Sequence, residues 1–97
     1  MIKKLYISLP ISGHPLDEVK KKADEAKEKW SIYYDVVTPL DINPNQDKSY
    51  AHYMGKDIEA LLECDAILMC KGWVHSKGCN AEYQIAKIYE IQIIDEV

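Results

Sequence analysis

The sequence contains no arginine, because all twelve of its basic residues are lysine. Any phosphate must therefore be held by lysine, hydroxyl groups or backbone N–H groups, without the bidentate guanidinium fork of arginine. The formal net charge of -4 argues against non-specific binding to a nucleic-acid backbone. We therefore expect no nucleic-acid polymer as a partner.

Cysteine pairs and long apolar runs are also missing. The three cysteines, Cys64, Cys70 and Cys79, form no C-x-x-C pair, which favours reduced thiols over a disulfide framework. No stretch approaches the roughly 20 apolar residues of a membrane-spanning helix, and the apolar run at the start is too short for a signal peptide. These features predict a cytoplasmic protein without a membrane partner, and its length predicts a single domain over residues 1–97.

Apolar patterning predicts an alternation of strands and helices. Strands are predicted over residues 3–9, 34–38, 65–70 and 91–95. Helices are predicted over residues 15–33, 50–63 and the second part of 71–90. This alternation predicts an α/β fold, a small doubly wound, flavodoxin- or Rossmann-like parallel sheet of order 2-1-3-4, with three helices over both faces. The polar stretch 39–49 is predicted to be a loop, long enough to indicate a binding or lid role.

Ligands in such sheets bind at the carboxyl ends of the strands, where the strand order reverses. The loops after strands one and three meet there. The second of these loops turns through Ser76 and Gly78 into a helix, so free backbone N–H groups and the positive helix end face the crevice. Glu82 follows within that helix and faces whatever the loop binds.

Three side chains at this crevice could carry out glycosyl transfer. A carboxylate such as Glu82, beside a second carboxylate, Asp57, and the hydroxyl of Tyr6, can attack the anomeric carbon of a sugar. Ser12 and Gly13 lie in the loop after the first strand. Structural roles stay open for all three: Glu82 could stabilise its helix N-terminus, Asp57 could pair with a lysine, and Tyr6 could be a core residue.

Other residues near the crevice have two interpretations each. Trp73 could stack on a base, or could be a packing or subunit-contact residue. Lys77 is the best-placed cation, or a solvated turn lysine, and His14 is a candidate phosphate contact. His52 and His75 match no standard zinc spacing, so we expect neither a metal nor another cofactor.

The stretches YISLPISG, MGKDIEALLECDAILMC and GWVHSKGCNAE, in this order, resemble the nucleoside 2-deoxyribosyltransferase superfamily. The resemblance covers nearly the whole chain and is strongest to short bacterial and phage members. It implies that Glu82 is the nucleophile that takes up the deoxyribosyl group. It also implies that Asp57 takes part in proton transfer at the base and contacts the sugar, and that Tyr6 holds the nucleophile in place.

The turn before Glu82 implies a substrate branch. Transferases of this superfamily tend to have an aspartate at the position of Ser76, whereas the related deoxynucleoside 5′-monophosphate N-glycosidases have a serine in S-x-G-x-x-x-E. Residues 76–82 read SKGCNAE, which is similar to the N-glycosidases. A serine at a helix N-terminus favours an anion, which an aspartate would repel. The residues implied to bind substrate are Ser12, Gly13, Trp73, Ser76, Lys77 and Gly78.

The sequence departs from the family pattern in two places. The N-glycosidases have an arginine at the position of Ser12, and a glycine is common at that of Leu9. The resemblance also implies that a neighbouring subunit completes each site through a C-terminal segment, which this sequence, ending at Val97, lacks.

We expect an enzyme that cleaves or exchanges the N-glycosidic bond of a deoxynucleoside or its 5′-monophosphate. The expected assembly is a homodimer or higher homo-oligomer, since a short chain buries only about two-thirds of its unfolded surface. A non-catalytic nucleotide-binding module is the alternative, favoured by the missing arginine and C-terminal segment. A structural or interaction protein is a third hypothesis.

Overall fold

Four short apolar stretches form one parallel sheet in the computed structural model, which describes residues 2–45 and 47–96. The strands are β1 (Lys4–Ser8), β2 (Asp35–Val37), β3 (Ala66–Met69) and β4 (Gln92–Asp95). Their order is β2-β1-β3-β4 and every pairing is parallel. The predicted α/β fold and strand order are therefore confirmed. The side chains of β3 are all buried, as is usual in a parallel sheet covered on both faces.

The helices cover both faces of this sheet. They are α1 (Leu16–Trp30), α2 (Pro39–Ile42), α3 (Tyr50–Leu62) and α4 (Lys77–Ile88), and a 3₁₀ turn over Trp73–His75 precedes α4. On α1, Val19, Ala23 and Ala26 are buried, because spacings of four and three residues place them on one face. The hydroxyl of Ser49 caps α3 by accepting a hydrogen bond from the N–H of His52.

The prediction of a loop over residues 39–49 is wrong at its start, because Pro39–Ile42 forms the helix α2. The Thr38 hydroxyl accepts a hydrogen bond from the N–H of Asp41 at 3.2 Å, and the Asp41 carboxylate accepts one from the N–H of Thr38 at 3.1 Å. This reciprocal cap satisfies two otherwise unpaired donors, and proline suits the first helical position. The described residues thus form four α-helices, where the sequence predicts three.

Two hydrophobic clusters lie on opposite faces of the sheet, since successive side chains of a strand point to opposite faces. Leu5 and Ile7 pack with the buried side chains of α1, whereas Tyr6 packs with those of α3 and α4. Ser8 is also fully buried, and as the second residue after Tyr6 it shares that face of β1. Polar side chains of β1 are therefore directed at the face that α3 and α4 cover.

Two further expectations, about the cysteines and about membrane-spanning helices, can be compared with the structure. Cys64, Cys70 and Cys79 are buried and free, as the sequence predicts. Across residues 2–45 and 47–96, no helix has both the length and the apolar character needed to cross a membrane.

Candidate active site

A pocket of about 300 Å³ lies at the carboxyl ends of the central strands, where the strand order reverses. Its wall is formed by the loop after β1, by residues at both ends of α2, by α3 and by the turn that leads into α4. The apolar and aromatic part of the wall comes from Leu9, Pro10, Ile11, Pro39, Tyr50, Tyr53 and Met54. A largely apolar wall with a few convergent polar groups is typical of a small-molecule site.

Glu82 joins the pocket to the central strand. It lies in the second turn of α4, lines the pocket and is only 4% exposed. Its Oε2 accepts a hydrogen bond from the Tyr6 hydroxyl at 2.8 Å, and its Oε1 accepts one from the Ser8 hydroxyl at 2.7 Å. The carboxylate is thus held at both oxygens by side chains of β1.

The surroundings of Glu82 favour its neutral form more than water does. Burial raises the pKa of Glu82 to about 7; the hydrogen bonds from Ser8 and Tyr6 oppose this shift, and the charge of Asp57 adds to it. Burial, followed by the charges of Glu82 and Asp57, raises the pKa of the Tyr6 phenol well above its usual range. Near pH 7, therefore, Tyr6 is a hydrogen-bond donor and Glu82 is ionised in part of the molecules.

A second carboxyl group, Asp57, lines the same pocket from the middle of α3 and is 7% exposed. Its Oδ1 accepts a hydrogen bond from Nδ2 of Asn43 at 2.9 Å. Burial raises the pKa of Asp57 to about 6, and the hydrogen bond from Asn43 opposes the shift. Asn43 follows α2 directly and is its C-terminal cap residue. The position of this short helix therefore determines where the side chain that donates to Asp57 lies.

The start of α4 approaches α3 closely beside the pocket. The hydroxyl of Ser76 caps α4 by accepting a hydrogen bond from the N–H of Cys79 at 3.3 Å. A Cβ atom on Gly78 would lie 3.3 Å from Sδ of Met54 and 3.3 Å from the hydroxyl of Tyr50. Glycine at this position therefore allows the first turn of α4 to pack against the pocket side of α3.

The structure brings most of the predicted site residues together. Those that line the pocket are Ser12, Asp57, Ser76, Lys77, Gly78 and Glu82. Tyr6 is fully buried and contacts Glu82 instead. Two other predicted site residues, Gly13 and Trp73, lie among the described residues but do not line the pocket. The ring of Trp73 stacks on that of Tyr83 with 4.7 Å between centroids, which is the packing role that the sequence leaves open.

The pocket also contains two imidazoles, of His14 and His75, and the thiol of Cys79. No three His, Cys, Asp or Glu side chains in the described part of the chain are grouped so that they could hold a metal ion. The polar part of the pocket therefore consists of two carboxyl groups, two imidazoles and the hydroxyl- and lysine-bearing turn before α4.

Comparisons with known proteins agree with this architecture. The family described as "Domain of unknown function (DUF4406)" matches residues 3–95. The chain belongs to this family. In fold, this DUF4406 domain is similar to "2-desoxiribosyltransferase from Leishmania mexicana", with a TM-score of 0.75 and 19% identity. That similarity covers 96% of this chain and 63% of the Leishmania chain, so the domain spans less than two thirds of that protein's length.

A second solved structure shows the same fold. The 2-deoxyribosyltransferase from Bacillus psychrosaccharolyticus has a TM-score of 0.70 and 16% identity, over 95% of this chain and 70% of that chain. No curated protein matches the sequence. The resemblance to the nucleoside 2-deoxyribosyltransferase superfamily is confirmed at the level of the fold.

Two polar residues of the candidate site, Ser8 and Asn43, are not among those predicted from the sequence. Ser8 could have been found, because residues two apart on a strand share a face, and a hydroxyl beside Tyr6 must point towards the same helix. Asn43 had no comparable signal, since its approach to Asp57 depends on α2, which lies inside the predicted loop.

Proposed function

We propose that this DUF4406 domain cleaves or exchanges the N-glycosidic bond of a deoxynucleoside or its 5′-monophosphate through a covalent glycosyl–Glu82 intermediate. The observation that carries the proposal is the buried Glu82 carboxylate, held by two hydroxyls and sharing a pocket with Asp57. Two carboxyl groups around one small-molecule pocket are the groups that retaining glycosyl transfer uses. The fold shared with proteins named as 2-deoxyribosyltransferases supports the same chemistry.

The proposed reaction has two steps. In the first, an oxygen of ionised Glu82 forms a bond to C1′ while the C1′–N bond breaks, and Asp57 donates a proton to the departing base. In the second, water or another base forms a bond to C1′, and Glu82 leaves as a carboxylate. The attacking water or base loses its proton to Asp57, which restores the starting state.

The protonation states set the pH at which this reaction runs. With pKa values of about 6 for Asp57 and about 7 for Glu82, the pair carries close to one proton between pH 6 and pH 7. That proton lies mainly on Glu82, which has the higher pKa, so the reacting form, with the proton on Asp57 and the charge on Glu82, is the minor arrangement of the pair. Below this range both carboxyl groups are neutral, and above it both are ionised, so the reacting form is lost in either direction.

The turn into α4 is suited to bind the 5′-phosphate or 5′-hydroxyl at one end of the substrate. Ser12, Ser76 and Lys77 line that part of the pocket, and the N-terminus of α4 adds the partial positive charge of its backbone N–H groups. Because the chain has no arginine, Lys77 and these N–H groups would carry the interaction with a phosphate. The apolar and aromatic wall would then hold the base.

The test is base release at pH 6.5 from each of the four deoxynucleosides and their 5′-monophosphates, with and without a second free base. We expect release from at least one of them. Glu82→Gln should abolish it, and Asp57→Asn should lower it by about 10²–10⁴-fold, the usual contribution of a general acid. Glu25→Gln, an exposed change on α1, is the matched control and should leave the rate unchanged.

The opposite outcome would favour the nucleotide-binding module. Micromolar nucleotide binding by calorimetry, with no base released and no effect of Glu82→Gln on affinity, would contradict the enzyme. The homo-oligomer and the cytoplasmic location stay predictions from the sequence.

A further inference from the structure

We propose that Ser8 is a positioning residue for the nucleophile, acting with Tyr6 as a two-point clamp that holds one oxygen of Glu82 each. The inference rests on the proposed role of Glu82 and assigns a role to a residue outside the pocket wall. Ser8 touches no substrate in this arrangement, because it is fully buried behind the carboxylate.

The clamp follows from the geometry of one strand. Tyr6 and Ser8 are two residues apart on β1, so their side chains leave the same face of the sheet about 6–7 Å apart. The Glu82 carboxylate lies between them, with Oε2 at 2.8 Å from the Tyr6 hydroxyl and Oε1 at 2.7 Å from the Ser8 hydroxyl. A single donor would leave the carboxylate free to rotate about its Cγ–Cδ bond, whereas two donors on different oxygens fix its plane.

The strand that carries both hydroxyls is a rigid support. β1 is hydrogen-bonded to β2 on one side and to β3 on the other, with Ser8 in register with Met69. The carbonyl of Ser8 also accepts a hydrogen bond from the N–H of Cys70 at 3.0 Å. Because reacting groups are placed most accurately by rigid elements, a central strand is well suited to hold a nucleophile.

The surroundings of Ser8 determine the direction of its proton. Burial raises the pKa of the Cys79 thiol, and the hydroxyls of Ser76 and Ser8 oppose this shift, so Cys79 is a neutral thiol near pH 7 and does not compete with Glu82 as a charged acceptor. Ionised Glu82 can only accept a hydrogen bond. The Ser8 proton is therefore directed at Oε1 of Glu82.

The clamp also suits the proposed intermediate. When one oxygen of Glu82 is bonded to C1′, the other becomes the carbonyl oxygen of an ester and still accepts a hydrogen bond. One hydroxyl of the clamp therefore keeps its acceptor through the reaction. Before the reaction, both hydrogen bonds favour the ionised carboxylate that attacks.

The experiment measures the ionisation of Glu82 directly, by NMR titration of the ¹³C-labelled side-chain carboxyl groups of the full chain. The variants are Ser8→Ala and the size-matched pair Ser8→Thr and Ser8→Val, which differ only in the hydroxyl. We expect the Glu82 midpoint to rise by about one pH unit in the Ala and Val variants, because a charge-assisted hydrogen bond is lost. The Thr variant should titrate close to the wild type.

Base release provides the second measurement. In the Ala and Val variants, kcat at pH 6.5 should fall about tenfold for a one-unit rise of the Glu82 midpoint, because less of the pair is in the reacting form. The alkaline limb of the kcat profile should move to higher pH by the same amount as that midpoint. KM should change less than twofold, because Ser8 does not contact the pocket. A role in folding alone would lower the thermal midpoint without moving either titration.

Two results would overturn the proposal: an unchanged Glu82 midpoint in Ser8→Ala, or a Thr variant that titrates like the Val variant. If the wild type releases no base from any nucleotide, the proposed function fails, but the NMR titration still shows whether Ser8 holds the carboxylate. If the Val variant does not fold, Ser8→Ala against the wild type decides the outcome.

Discussion

The hydrogen bond from Asn43 to Asp57 contributes more to the free energy of unfolding when Asp57 is ionised. The effect of Asn43→Ala on stability should therefore depend on pH. At pH 8, above its pKa of about 6, Asp57 is a buried charge that accepts from Nδ2 of Asn43 at 2.9 Å. Asn43→Ala should then lower the free energy of unfolding by about 1.5–3 kcal/mol. At pH 5, where Asp57 is mostly neutral, the loss should be about 0.5–1.5 kcal/mol.

Urea denaturation of the wild type and the variant at both pH values measures this difference. Lost packing of the asparagine side chain contributes equally at pH 5 and pH 8, so it cancels in the comparison. Asn45→Ala, at an exposed position of the same loop, is the control and should have little effect at either pH. Equal losses for Asn43→Ala at the two pH values would show that its hydrogen bond does not distinguish the charged form of Asp57.

The positions of individual site residues could be predicted from the sequence where a local pattern determines which way the side chain points. Glu82 follows a glycine-bearing turn into a helix, and Tyr6 lies on a short strand, so both could be placed before the structure was known. Asp57 was placed by the resemblance and by the helix that carries it. Asn43 could not be placed, because nothing in its neighbourhood fixes how far it lies from a helix that starts several residues later.

Two helical glycines of the elements around the pocket differ in their surroundings. A Cβ on Gly55 in α3 would meet no atom within 4 Å, whereas one on Gly78 in α4 would press on Met54 and Tyr50. Gly55→Ala should therefore raise the free energy of unfolding by up to about 1 kcal/mol through helix propensity alone, with unchanged base release. Gly78→Ala should stabilise less and should change KM, because Met54 and Tyr50 line the pocket.

Thermal denaturation and steady-state kinetics of the two variants test this pair together, with each glycine as the control for the other. If Gly78→Ala stabilises as much as Gly55→Ala and leaves KM unchanged, the close approach of α4 to α3 plays no part in shaping the pocket.

Element boundaries were predicted less well than element types. Periodicity predicts a helix over residues 15–33, but α1 ends at Trp30. The predicted end was too late because the apolar spacing contains no signal that marks the end of the helix. The helix α2 has only four residues, too few for a periodic pattern. Its signal is instead chemical: Thr38 and Asp41 form a capping box, and proline stands at the first helical position.

The strand order of the whole molecule could be predicted because connection rules leave few alternatives. The three strand–helix–strand connections must all be right-handed. For helices to cover both faces of the sheet, the first strand must then lie in the middle of the sheet. The shape of the pocket could not be predicted in the same way, since it depends on where the short helix α2 turns the chain.

Two buried carboxyl groups make the stability of the whole molecule depend on pH. Relative to ordinary values of 4.5 and 3.8, burial raises the pKa of Glu82 to about 7 and that of Asp57 to about 6. Between the ordinary and the raised value, the folded state holds a proton that the unfolded state has lost, so the free energy of unfolding falls as the pH rises. At about 1.4 kcal/mol per pKa unit, Glu82 alone lowers it by roughly 3 kcal/mol between about pH 4.5 and pH 7.

Glu82→Gln should remove about half of this pH dependence, with Asp57 responsible for the rest, and stabilise the protein at pH 8 by about 1–3 kcal/mol. A glutamine can accept from one of the two β1 hydroxyls and donate to the other, so the contacts with Tyr6 and Ser8 can be kept without a buried charge. Denaturation curves of the wild type, Glu82→Gln and the exposed control Glu25→Gln at pH 5 and pH 8 measure the effect. A loss of stability in Glu82→Gln at pH 8 would mean that the ionised carboxylate contributes to folding. A gain, together with lost base release, would mean that the fold tolerates this charge because the reaction at C1′ needs it.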